Sequence, residues 1–133
     1  DFDAALMSKL IADIRGARRL SLTYRFGTGG STLDNRGSED LQRLAALLTG
    51  PDHAGKTIML LGFSDSVGRF DANLNTARRR AQIVRAALEA ALAGNAASGI
   101  SIKDAAYGEL APVACNDNDF GRSLNRRVEV WIK

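Results

Sequence analysis

The residues with most to offer chemically lie in one short stretch: Asp65 in a turn, Asn73 early in the helix that follows, and Arg80 further along it. At about 100° per residue, Asn73 and Arg80 stand nearly one above the other. They sit at the margin of an apolar sector formed by Leu74, Ala77, Ala81, Val84, Leu88 and Ala91. A guanidinium at the edge of a buried face is costly unless its charge is met. Helical side chains lean toward the N-terminus, so Arg80 reaches back toward Asp65, where the free amides of the helix start add positive potential. A carboxylate and a guanidinium converging on one small volume make a receptor for a zwitterion. Asp65 would take an ammonium, and Arg80 would grip a carboxylate through two parallel hydrogen bonds. The same two groups could instead close on each other as an ion pair that locks the turn onto the helix, and the pattern alone leaves both readings open. Arg79 points away from the core while Arg78 and Arg85 occupy the other flank, so the run of arginines is not one patch.

Other chemistry finds less support. His53 is the only histidine, which leaves a histidine-based metal site or triad with almost no partners. Cys115 has no second cysteine to pair with and reads as a loop thiol, and a cysteine-rich zinc site is excluded. Glu109 and Asp117 share one long loop and could be imagined as a carboxylate pair for glycan hydrolysis, but loop carboxylates of this kind are usually solvated. A nucleic-acid surface through Arg78, Arg79, Arg85, Arg122, Arg126 and Arg127 would need an aromatic platform or a helix-turn-helix signal, and neither is evident. Arg127 and Glu129 fall on one face of a strand, which supplies a partner for that arginine. No cofactor or metal is called for, and no enzyme is expected.

The elements that position these residues follow from periodicity. Residues 1–16 read as a short amphipathic helix, with Phe2, Ala5, Leu6, Leu10, Ile11 and Ile14 at helical spacing. Leu20, Leu22, Tyr24 and Phe26 alternate with Ser21, Thr23 and Arg25 as a half-buried strand, ended by the glycines of GTGGS. Ser38 is the expected N-cap of a helix with Leu41, Leu44, Ala45 and Leu48 as its stripe. KTIMLLGF is apolar throughout and reads as a central strand. The longest helix then runs from about Ala72 to Ala93, a strand from about Ser101 to Tyr107, and a loop through Gly108, Pro112, Asn116, Asp117 and Gly121 to a last strand, RRVEVWIK, whose Val128, Val130 and Ile132 face the core. The order is α-β-α-β-α-β-β, an α+β mixed sheet packed against helices.

The chain has 133 residues, 45% hydrophobic and 25% charged, ordinary globular composition that excludes disorder and a disulfide scaffold. Eighteen basic against fifteen acidic residues give +3, which permits nucleic acid without demanding it. No segment is long and apolar enough to span a bilayer or reads as a signal peptide. A start at Asp1 rather than Met suggests a piece of something longer.

Two blocks of this sequence resemble the OmpA-like domain family, which includes the peptidoglycan-associated lipoproteins and the flagellar stator anchor. The first is carried by Gly62, Ser64, Asp65, Gly68, Asn73, Arg80 and Ala81. The second is carried by Gly108, Pro112, Val113, Asn116, Gly121, Arg122, Asn125, Arg126, Arg127, Val128 and Glu129. The resemblance implies a β-α-β-α-β-β domain over residues 17–133, with a four-stranded mixed sheet and residues 1–16 as an extra N-terminal helix or linker from an upstream region. It implies non-covalent binding of peptidoglycan in the periplasm without catalysis, anchoring a larger membrane-attached or secreted envelope protein of a Gram-negative cell, outer membrane included, to the cell wall. The domain itself would not be membrane-embedded, and dimerisation is left open. By resemblance, Asp65 and Arg80 hold the amino and carboxylate groups of meso-diaminopimelate in the stem peptide. Asn73 supports the pocket, and Asn125 and Arg126 supply further site or scaffold contacts. The family's acidic residue in the first strand is replaced by Arg25, and Thr76 and Ala77 stand where Leu-Ser is common. The alternative is a structural or interaction domain whose basic surface binds another anionic partner.

Overall fold

The computed structural model describes residues 2–26, 33, 35–93 and 99–133. In chain order the elements are α1 (Phe2–Ile14), β1 (Arg18–Arg25), α2 (Asn35–Leu48), a single 3-10 turn (Pro51–His53), β2 (Thr57–Phe63), α3 (Phe70–Ala91), β3 (Ser101–Gly108), α4 (Asp119–Asn125) and β4 (Arg127–Ile132). The strands form one mixed sheet in the order β1-β4-β2-β3. β2 runs parallel to β3, with α3 as the crossover that parallel pairing requires, and antiparallel to β4. The continuous apolar run of β2 is explained by its central place, since both its faces are covered.

Ile58 and Leu60 of β2 join Leu20, Tyr24 and Phe26 of the first strand region, Val128, Val130 and Ile132 of β4, and the stripes of α2 and α3 in the main core. Met59, Leu61 and Phe63 point the other way. They are covered with Tyr107 by Leu10 and, less deeply, by Leu6, Met7 and Ile14 of α1. The N-terminal helix is therefore the outer layer on the second face of the sheet. Polar contacts pin it there: the Tyr107 hydroxyl donates to the Asp13 carboxylate, and Lys9 lies 3.6 Å from that carboxylate and 5.2 Å from the Tyr107 ring centre.

One close approach sets the geometry of the site. A Cβ on Gly62 would lie 2.2 Å from the Ala77 carbonyl oxygen, so α3 rests directly on β2 there. Three residues beyond Gly62 is Asp65, and three beyond Ala77 is Arg80. The glycine thus brings the end of a strand and the flank of a helix to a fixed separation.

Several expected boundaries shift. Ser38 lies inside α2 rather than at its cap, because the helix begins at Asn35. α3 begins at Phe70, two residues before the expected Ala72. The segment expected as loop before the last strand contains α4, whose start is capped by the Asn118 side chain accepting from the Gly121 amide at 2.7 Å. The glycines of GTGGS, Asp34, and the side chains of Phe2 and Leu22 lie outside the described residues.

Candidate functional site

Asp65 lies just beyond the C-terminal end of β2, in the turn before α3. Its Oδ1 accepts from the Val67 amide at 3.0 Å, closing a short turn on itself, and its Oδ2 accepts from Arg126 Nη1 at 2.8 Å. The carboxylate's ion-pair partner is therefore Arg126 and not Arg80, as the simpler sequence reading had it. Arg126 stands at the junction of α4 and β4, and its Nε donates to the Phe26 carbonyl at 3.0 Å. Arg80 is 2% exposed, and its guanidinium carbon lies 5.3 Å from the centre of the Phe26 ring. Phe26 thus ties the end of the first strand region to both arginines.

These groups open onto a cavity of about 440 Å3. Asp65, Asn73, Thr76, Arg80, Arg122 and Arg126 line it, with Ser64, Val67 and Asp119 completing the wall. Asn73 Nδ2 is buried with no hydrogen-bond partner among the described residues, which is costly until an acceptor reaches it. Burial first, and then the neighbouring Arg126 charge, push the Arg80 guanidinium below the ordinary arginine range, while Asp65 pulls it the other way. An incoming anion would offset both effects at Arg80. A guest bearing a carboxylate for Arg80 and Asn73, and an ammonium for the free lone pairs of Asp65, matches what the cavity offers.

The structure gathers Asp65, Asn73, Arg80 and Arg126 around this cavity. Asn125 is not among its lining residues. It is fully buried, accepts from the Val113 and Ala114 amides at 2.8 and 3.1 Å, and donates to the Ala114 carbonyl and to Asn116 Oδ1, both at 2.9 Å. It holds the loop before α4, and Asn116 in turn accepts from the Ser66 amide at 3.3 Å. Asn125 is accordingly a positioning residue at one remove from the cavity. Sequence reasoning missed Arg122 and Asp119 as wall residues. They reach the cavity only because α4 exists, and the Asn118 cap was the available signal for it.

The other candidates lie elsewhere. His53 lines a separate hollow at the far end of the sheet, among Arg18, Lys56 and Lys133. Cys115 is exposed, and neither Glu109 nor Asp117 lines the cavity. Arg25 is exposed and donates to the Leu124 carbonyl at 2.8 Å. Arg85 pairs with Asp104 and Glu89, Arg122 with Asp119, and Arg127 with Glu129 at 2.8 Å, as their place on one face of the same strand had suggested. Most of the arginines considered for a basic surface are thus engaged within the fold.

Comparison with known proteins agrees with the fold. The crystal structure of the peptidoglycan-associated lipoprotein from Burkholderia pseudomallei superposes with a TM-score of 0.72 over 87% of this chain and 91% of that one, at 23% identity. The C-terminal domain of Helicobacter pylori MotB superposes with a TM-score of 0.68 over 84% of each chain, at 23% identity. Among curated relatives, the peptidoglycan-binding protein ArfA of Mycobacterium tuberculosis is 33% identical over 107 residues, 80% of this chain and 31% of its own length. The probable lipoprotein YiaD of Escherichia coli is 30% identical over 80% of this chain and 46% of its own length. The chain therefore spans less than half of either curated relative. Residues 25–126 match the OmpA family, a span that takes in every residue lining the cavity together with β2 and β3, and the chain belongs to the OmpA family.

Proposed function

We propose that this domain binds peptidoglycan without catalysis, by holding the zwitterionic end of meso-diaminopimelate in the cavity, and that it anchors a larger periplasmic envelope protein to the cell wall. The observation that carries this reading is the convergence of Asp65, Arg80, Arg126 and the unpartnered amide of Asn73 on one open cavity. Asp65 receives the ammonium, with Arg126 and the Val67 amide fixing its orientation. Arg80 receives the carboxylate, and Asn73 Nδ2 donates to the same group. Asn125 contributes by holding the loop from which Arg122 and Asp119 approach. The peptidoglycan-associated lipoprotein of Burkholderia pseudomallei and the peptidoglycan-binding protein ArfA support the ligand class, and the likeness to the periplasmic domain of Helicobacter pylori MotB supports the compartment.

Co-sedimentation with insoluble diaminopimelate-type sacculi tests the proposal. Asp65→Ala and Arg80→Ala should each lower the bound fraction by at least about tenfold in affinity, because removing one member of a charged receptor costs about 2–5 kcal/mol. Thermal melts of both variants separate lost binding from lost fold. Retention of wild-type sedimentation by both folded variants would overturn the clasp.

A further inference from the structure

Among the described residues, the large apolar side chains left open to solvent are Ile11, Leu47, Val67, Val113 and Phe120, at exposures from 45% to 73%. Single exposed apolar residues need no explanation. Three of these, however, sit at the cavity end of the molecule, and Phe120 is the most exposed of all at 73%. Val67 lines the cavity itself, and Asp119 and Arg122, which bracket Phe120 in α4, line it too. Val113 lies in the loop clamped by Asn125.

Phe120 is held on an ordered platform. Asn118 caps the first turn of α4, and Arg122 Nη1 donates to the Asn116 carbonyl at 2.8 Å. A Cβ on Gly121 would stand 1.8 Å from the Cys115 carbonyl oxygen, so helix and loop are in backbone contact. The Asn116 side chain then links this loop to the turn that carries Asp65 and Val67. The backbone that presents the Phe120 ring is fixed beside a polar cavity, so a partner would have to order only the side chain and not the segment that carries it.

We propose that Phe120, with Val67, forms an apolar lip that takes one face of a neutral pyranose ring of the glycan strand, while the cavity holds the charged end of the attached stem peptide. The inference rests on the reading of the cavity given above. A pyranose presents C–H groups on one face and hydroxyls around its edge. An aromatic face meets the C–H groups, and Asp119 and Arg122 stand within reach of hydroxyls beside it. Those flanking charges argue against an acyl chain or the apolar centre of a dimer interface, where charged residues are depleted. The division between a charged cavity and an uncharged lip mirrors a ligand made of a charged peptide on a neutral sugar.

Calorimetric titration with two soluble ligands decides the matter: a disaccharide-tripeptide containing diaminopimelate, and the same tripeptide without sugar. Phe120→Ala should weaken the sugar-bearing ligand by about three- to tenfold, the range of a single aromatic contact, and leave the bare tripeptide unchanged. Phe120→Tyr should restore most of the loss. The residue is on the surface, so Phe120→Ala should melt as the wild type does. Equal weakening of both ligands, or no change in either, overturns the lip and leaves the cavity reading standing. If the wild type takes up neither ligand, both readings fall.

Discussion

Arg127 shows what a buried charge does when it serves the fold alone. It is 2% exposed, donates to Glu129 at 2.8 Å and to the Ala111 carbonyl at 2.9 Å, and stacks with its guanidinium carbon 4.0 Å from the centre of the Phe63 ring. Arg127→Ala would leave the buried Glu129 carboxylate with Trp131 Nε1 at 3.0 Å and the exposed Arg19 at 3.4 Å, and should lower unfolding stability by about 3 kcal/mol in a urea titration. Arg80→Met keeps the stem volume, so its midpoint should move less while sacculus binding is lost. The two tyrosines supply a pH test. Burial pushes both Tyr24 and Tyr107 above the ordinary range near 10, and the Asp13 carboxylate adds to the effect at Tyr107. A raised folded-state value means this contribution is complete below pH 10 and is lost as pH climbs beyond it. Tyrosinate absorbance should therefore appear only together with loss of native circular dichroism; earlier appearance would show an ionisable tyrosine in the folded state. At this scale Asn73 and Arg80 were legible because helical periodicity places them on one margin, and Asp65 because it stands in the turn toward which Arg80 reaches back. The Asp65–Arg126 pair was not, because it joins residues 61 positions apart through a helix the periodicity did not reveal.

Among the elements, α3 and the sheet were readable in detail. Every position of the expected stripe from Leu74 to Leu88 is buried, and β2 is central as its unbroken apolar run implied. The failure at α4 has a physical reason: seven residues provide too little periodicity, and the helix is held by the Asn118 cap and the Gly121 contact more than by an apolar face. Two substitutions probe the contacts that juxtapose elements. Gly62→Ala places a methyl against the Ala77 backbone, which cannot yield without moving α3, so stability should fall by about 1–3 kcal/mol or more. Gly121→Ala should instead act on ligand affinity, since it displaces α4 and with it Arg122, Asp119 and the approach of Arg126. A wild-type binding curve for a folded Gly121→Ala variant would show that α4 has no part in the site.

For the whole molecule, the informative feature is that the sheet is covered on both faces. Removing residues 1–16 would uncover Met59, Leu61, Phe63 and Tyr107, and an apolar patch of that kind drives association. The shortened domain should bind a hydrophobic dye and elute as a larger species in size-exclusion chromatography, whereas the intact chain should do neither at the same concentration. The three-layer arrangement was only half visible beforehand. The helix at residues 1–16 was apparent, but nothing in its own pattern says which surface it covers. The placing of Asp65 at the end of β2 and of Arg126 at the start of β4 has a mechanical side as well. These strands are neighbours in the interior of the sheet, paired antiparallel from Ile58↔Ile132 to Phe63↔Arg127. A tug on whatever the two residues grip would load that ladder along its length, so that many rungs share the strain and no rim strand is peeled away. That is how a tether should be fastened.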